Sequence, residues 1–267
     1  MLVQNWMSKN VVTVDVNDCI GNAVNLLLEN DNRTLPVMDK NRLVGVITDR
    51  DLKMASVSDT TALDAHEFIH LTSRIKVKFI MTKNPITIPF DFTVDETASI
   101  LLRHRISGAP VVNHKGAVVG TITQTDLFRV MSSLTGVEKE GLQFGFQVED
   151  RTGSIKELVD IIRQFGGRMV SLLTSYENVP AGYRKVYIRM NGMGSTRFSE
   201  LKEALKEKAT LLYMVNHFEN MREIYASRNA KITPLTKKVI KSESTMRTFP
   251  PDDYNGRKRY SETGKVA

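Results

Sequence analysis

The chain has 267 residues, 41% of them hydrophobic and 25% charged, which excludes wholesale disorder and, at roughly 100 to 200 residues per domain, predicts about two compact units. The formal net charge is +7, yet Ser227 to Ala267 holds 10 Lys and Arg against 4 Asp and Glu, leaving 27 against 26 elsewhere. The body is therefore almost neutral, and the charge does not describe a basic fold wrapped around a polyanion.

In chain order, the first half is a tandem repeat. Met7-Ser8-Lys9-Asn10-Val11-Val12-Thr13-Val14 returns as Met81-Thr82-Lys83-Asn84-Pro85-Ile86-Thr87-Ile88. Leu35-Pro36-Val37 returns as Ala109-Pro110-Val111, and Gly45-Val46-Ile47-Thr48-Asp49-Arg50-Asp51-Leu52 as Gly120-Thr121-Ile122-Thr123-Gln124-Thr125-Asp126-Leu127. Each copy predicts strand, helix, strand, turn, strand, helix. Ile20, Ala23, Val24, Leu27 and Leu28 in one copy, and Val94, Thr97, Ala98, Leu101 and Leu102 in the other, fall at i, i+3, i+4, i+7 and i+8, predicting one buried face per helix. Asp39-Lys40-Asn41 and Asn113-His114-Lys115-Gly116 read as hairpin turns. The copies are expected at residues 1–57 and 75–135, with a linker over 58–74.

The repeated Gly-x-x-Thr-x-x-Asp carries chemistry. Thr48 ends a strand and opens a helix, where unpaired N–H groups and the helix dipole favour an anion such as phosphate. Asp51 points back to that end, and its carboxylate suits the cis-diol of a ribose. Gly45 permits close approach of ligand or backbone, and Leu35 and Pro36 offer an apolar wall to a purine. The competing reading is purely structural: Thr-x-x-Asp before an apolar run is also a capping box. Duplication in register, with a Gly ahead of each Thr and a Pro-centred strand before it, favours a nucleotide site. Arg33, Arg50, Arg103, His104, Arg105 and His114 flank the motifs and could meet phosphates, although charged residues beside helices are usually solvated.

These residues resemble the tandem cystathionine-β-synthase (CBS) domain pair, the Bateman module, over roughly residues 1–135. The resemblance implies two repeats packed about a pseudo-twofold axis around a cleft for an adenine nucleotide. AMP, ATP and S-adenosylmethionine all stay open. It places Gly45, Thr48, Asp51, Leu35, Pro36 and Val12 on the ligand in one half, and Gly120, Thr123, Asp126, Ala109, Pro110 and Ile86 in the other.

After a polar stretch around Gly136 and Glu138-Lys139-Glu140, a new pattern begins. Leu142 to Val148 alternates as a strand, and Ser154 is expected to cap a helix carrying Ile155, Leu158, Val159 and Ile162 that ends at Gly166-Gly167. Strands over Met169–Ser175 and Val186–Met190, a helix over Arg197–Lys208 and a last strand over Leu211–Val215 complete β-α-β-β-α-β, the ferredoxin-like order. The fold class expected for the whole chain is thus α/β (α+β). Residues 140–217 resemble an ACT domain through Glu149-Asp150-Arg151-Thr152-Gly153-Ser154-Ile155, although that family often has Pro where Thr152 stands. The resemblance implies a dimer and an effector loop at Asp150, Arg151, Gly153 and Ser154 for an amino acid.

Residues 218–267 are expected to extend as a helix to about Arg228 and then to form a basic, disordered tail. No run approaches roughly 18 apolar residues, and Met1 to Trp6 lacks a secretory pattern, so a cytoplasmic location without membrane contact is expected. No nucleophile elbow, Walker loop or metal-ligand spacing appears. The expectation is a non-catalytic sensor without a resident cofactor, a homodimer regulating an unidentified protein, with a layout similar to acetoin-utilisation-type regulators. Nucleic acid is not an expected partner of the body; a regulator contacting it through the tail is the alternative, and a dimeric scaffold without ligand a third.

Overall fold

The computed structural model describes residues 1–57, 75–193 and 197–225, in two units that divide between Glu138 and Lys139. The expected linker and the tail after Tyr225 lie outside the described residues.

In the first unit, β1 (Val14–Asp15), α1 (Ile20–Glu29), β2 (Thr34–Asp39), β3 (Arg42–Thr48) and α2 (Asp49–Val57) form one repeat. After β4 (Thr82–Lys83), the second comprises β5 (Ile88–Pro89), α3 (Val94–His104), β6 (Gly108–Val112), β7 (Val118–Thr123) and α4 (Gln124–Thr135). In both, a two-residue strand pairs parallel with the first strand of a hairpin, Val14 with Val37 and Ile88 with Val111. The first hairpin closes over Lys40-Asn41, with Lys40 at φ 55°. The second closes over Asn113–Gly116, where the Asn113 side chain accepts from the amides of Lys115 and Ala117.

The repeats exchange their leading segments. β4, which opens the second repeat, pairs with β3 of the first, while Ser8 bridges to Thr121 on β7 and Leu2 to Thr93. Val3 is wholly buried in the second repeat's core with Ile88, Leu101, Val111 and Ile122, and Val77 is buried in the first repeat's core with Ile20, Leu35, Val37 and Ile47. Neither half completes its core from its own residues.

Helix faces follow the predicted period with one correction. Ile20, Ala23 and Leu27 are buried, as are Val94, Thr97 and Leu101, but Leu28 and Leu102 are 76% and 75% exposed. At 100° per residue, position i+8 lies about 80° from position i, at the edge of a stripe centred near i+7.

The second unit comprises β8 (Leu142–Glu149), α5 (Ser154–Gln164), β9 (Arg168–Ser175), β10 (Tyr183–Asn191), α6 (Phe198–Lys208), β11 (Thr210–Asn216) and β12 (Met221–Ile224). The sheet order is β12-β11-β8-β10-β9, antiparallel throughout. Its first four-strand block is the β-α-β-β-α-β order read from the sequence, with β12 added at one edge. Phe144, Phe146, Leu158, Ile162, Ile188, Leu201 and Leu205 fill the core under both helices.

Two expectations fail here. Residues 217–228 do not continue as a helix through the described part: Asn216 Oδ1 accepts from the amides of Phe218 and Glu219, Asn220 adopts φ 48°, and the chain reverses into β12 against β11. A side chain that satisfies local amides in a turn competes with helix propagation. Ser154 is not the cap of α5. Gly153, at φ 92°, holds the N-cap position, and Ser154 is the first helical residue, its Oγ donating to the Arg151 carbonyl at 3.0 Å.

Candidate functional site

The two Thr-x-x-Asp corners are built alike. Thr48 ends β3, and its Oγ accepts from the Asp51 amide at 3.2 Å. Asp51 Oδ2 in turn accepts from the Thr48 amide at 2.9 Å and hydroxyl at 2.8 Å. Thr123 and Asp126 repeat this at the start of α4, with 3.4 Å for the Asp126 amide and 2.8 Å for both bonds to Asp126 Oδ2. The amide of the residue after each Thr is also taken, Asp49 by the Arg33 carbonyl and Gln124 by the Ser107 carbonyl. The helix-start amides expected to cradle a phosphate are therefore largely engaged by the protein. What stays available at the first corner is carboxylate.

Asp51 and Asp126 differ there. Asp51 is half-buried, and no described residue donates to its Oδ1. Asp126 is 7% exposed, and Arg129 Nη1 donates to its Oδ1 at 2.9 Å. Arg129 lies outside the motif, and the signal that could have found it is its i,i+3 spacing from Asp126 on a predicted helix.

Leu35 and Ala109 belong to the two buried cores, so neither offers a surface to a purine, contrary to expectation. Pro36 and Pro110 are buried as well, on β2 and β6, strands that touch each other across the repeats, so they too offer no open wall to a purine. Val12 and Ile86 are half-buried at equivalent places ahead of β1 and β5. Gly45 and Gly120 approach backbone rather than an open cleft: a Cβ at Gly45 would meet the Thr82 carbonyl at 2.9 Å, and one at Gly120 the Ser8 carbonyl at 2.9 Å.

Of the flanking cations, His114 is excluded from the second corner. It sits in the hairpin turn at the end of β6–β7 opposite Thr123, roughly 17 to 20 Å away along the ladder, and packs edge-on against Phe90. Arg33, Arg50, Arg103, His104 and Arg105 are exposed and lie toward the Thr48 and Thr123 ends.

The CBS domain family matches residues 3–58 and 77–133, once per repeat. A CBS domain-containing protein of Dictyostelium discoideum is 33% identical over 132 residues, 49% of this chain and 91% of that one. The chain belongs to the CBS domain proteins. Inosine-5'-monophosphate dehydrogenase of Korarchaeum cryptofilum is 29% identical over 165 residues, covering 60% of this chain but 32% of the enzyme; the chain spans about a third of that relative. The CBS domain pair of protein MJ0100, solved in complex with 5'-methylthioadenosine and S-adenosyl-L-methionine, is 31% identical, covering 49% of this chain and 99% of that one at a TM-score of 0.42.

The second unit holds a cavity of about 660 Å³ whose lining includes Arg151, Ser154, Glu157, Lys206, Lys208 and Tyr225. Arg151 and Glu157 meet as a fork, at 2.8 and 3.0 Å. The hydrogen bond from Arg151 holds the Glu157 carboxyl below the usual carboxylate range, and the Arg151 guanidinium is raised by the same bond. Tyr225 donates to Glu223, and burial followed by that bond pushes its phenol upward. Of the four expected loop residues, Arg151 and Ser154 line the cavity. Asp150 instead faces Arg184 and Tyr176 at 3.4 Å each, and Gly153 supplies the turn. Glu157, Lys206, Lys208 and Tyr225 were not legible in the sequence, since they reach the cavity from three separate elements.

Among the described residues, no helix is long and apolar enough to cross a membrane.

Proposed function

We propose that this chain is a non-catalytic regulatory protein whose CBS pair binds an adenosyl ligand, with the ribose on the Thr-x-x-Asp carboxylate. The observation that carries the reading is the Asp51 carboxylate: it is fixed by Thr48 through one oxygen while the other has no donor from any described residue. A capping box needs only the first oxygen. The second is the group a ribose hydroxyl requires. Regulation then follows from differential affinity of the ligand for two arrangements of the pair, which is the only way a ligand shifts such an equilibrium.

The test is a thermal-shift panel of AMP, ATP and S-adenosylmethionine on the full chain. A ligand at a hundred times its Kd stabilises the folded form by about 2.7 kcal/mol, and the double variant Asp51→Ala, Asp126→Ala removes that gain. If the corners are caps alone, the double variant loses about 1 kcal/mol per cap and no ligand effect exists to lose.

A second site is supported by the cavity of the second unit. The N-terminus of α5 and the C-terminus of α6 both border it, presenting the positive end of one helix dipole and the negative end of the other. With Arg151, Lys206 and Lys208 facing Glu149, Glu157 and Glu207, that suits a zwitterion, in keeping with the ACT resemblance and an amino-acid effector. A panel of amino acids by the same assay tests it separately. Leu28 and Leu102, exposed at equivalent places, with Phe128 and Met131 on α4, are apolar groups that a homodimer would cover. Light scattering decides that point.

A further inference from the structure

The two corners are chemically unequal, and the inequality falls on the atoms that a ribose would use. This inference rests on the ribose reading above. An ionised carboxylate offers about four lone-pair positions. At Asp51, Thr48 takes two of them through its amide and hydroxyl, both on Oδ2, and no described residue donates to the two on Oδ1. At Asp126, Thr123 takes the same two and Arg129 takes a third at 2.9 Å. A cis-diol donates two hydrogen bonds. Asp51 has room for both; Asp126 is one short.

The place equivalent to Arg129 in the first repeat is Met54, three residues after its Asp. A thioether has no hydrogen to donate and no charge, so it cannot occupy a carboxylate oxygen as a guanidinium does. The difference is written into the sequence of the two copies and is not a matter of side-chain position alone. Exposure points the same way: the Asp126 side chain is 9% accessible beneath Arg129, whereas Asp51 is half-buried.

We propose that Arg129 closes the second corner to ribose, so that the CBS pair takes one adenosyl ligand tightly, at Thr48–Asp51, rather than two. Arg129 is itself 50% exposed, so the closure acts by occupying an oxygen and not by a strong ion pair. A ligand entering the second corner must displace Arg129 or forgo one hydrogen bond to a charged group, roughly a 10- to 150-fold penalty in Kd. Arg129 in this view is a specificity residue that touches the binding carboxylate and not the ligand.

The test is calorimetric titration of the full chain with AMP, repeated with S-adenosylmethionine. The expected result is one tight equivalent per chain, lost in Asp51→Asn. Arg129→Met, which copies the first repeat, is expected to add a second equivalent within a few fold of the first while leaving the first Kd unchanged. Adding Asp126→Asn to Arg129→Met removes that second equivalent again. Asn keeps an acceptor for the Thr amide, and circular dichroism and thermal unfolding without ligand verify that each variant is folded. Two equal equivalents in the unaltered chain, or weaker binding in Arg129→Met, overturn the inference while leaving the adenosyl reading intact; the second result would show Arg129 to be a phosphate contact. Absence of any binding by either ligand overturns both.

Discussion

The sulfur of Met7 packs over Gly120 so closely that a Cβ on that glycine would lie 2.4 Å from it. Met81 stands over Gly45 in the same way, at 2.6 Å. Each leading segment of one repeat thus uses a strand glycine of the other as its seat, and the pseudo-twofold is visible in a single pair of contacts. The glycines of the two motifs are explained by this exchange before any ligand is considered.

Gly120→Ala is therefore expected to lower stability by about 1 to 3 kcal/mol, the usual range for overpacking. Combining it with Met7→Ala should recover only part of the loss, because the Ser8 carbonyl would still sit 2.9 Å from the new Cβ. A double-mutant cycle by urea unfolding measures the coupling, and strict additivity would contradict the contact.

Deleting residues 1–8 should loosen the second repeat more than the first. Val3 is wholly buried among residues of the second core, and Ser8 supplies two backbone bonds to Thr121. Hydrogen exchange is the measurement: protection is expected to fall in β6, β7 and α3 and to hold in β2. Loss confined to the first repeat would mean that the segments are not exchanged.

Thr93→Ala and Thr123→Ala form a matched pair. Both remove the Thr of a reciprocal capping box, so each is expected to cost about 1 kcal/mol. Only Thr123 fixes a carboxylate at a candidate corner, so any effect on ligand response is expected from Thr123→Ala alone. Equal binding effects from both would reduce the corner to helix stability.

His217 should make the second unit sensitive to acid. Burial, with Arg189 and Arg222 nearby, lowers its pKa from the ordinary value of 6.5, and its Nε2 is buried with no hydrogen-bond partner among the described residues. The unfolded chain takes up a proton near pH 6.5 that the folded form resists. The stability contributed by neutral His217 is thus complete above about pH 6.5 and declines as pH falls through the lowered folded value. Thermal unfolding from pH 7.5 to 5 reads this directly. His217→Gln is expected to flatten the slope, and an unchanged slope would place the acid sensitivity elsewhere.

Repetition of Leu35-Pro36-Val37 and of the Gly-x-x-Thr-x-x-Asp motif was enough to reveal the two CBS repeats, because a duplicated local pattern needs no knowledge of distance. The hydrophobic period likewise located α1, α3, α5 and α6, and alternation located β8, since both report a face that must leave water whatever it packs against. The reading faltered at the ends, where a turn built by the Asn216 side chain replaced the expected helix with β12.

What the linear sequence did not contain was which half each segment would complete. Val3 and Val77 are buried in the core of the other repeat, and Gly45 and Gly120 face backbone, because burial is decided by which surfaces meet after the chain has folded back on itself. The same holds for Leu35, Pro36, Ala109 and Pro110, expected to form a ligand wall and found buried, since β2 and β6 are covered by the cores and touch each other. Asp51 and Asp126 divide between the two: the sequence holds Met54 in one copy and Arg129 in the other, and only the structure shows Arg129 seated on the carboxylate. Identical in the motif, they differ in accessibility and in the partners of one oxygen, and that difference arises from a residue one helical turn away.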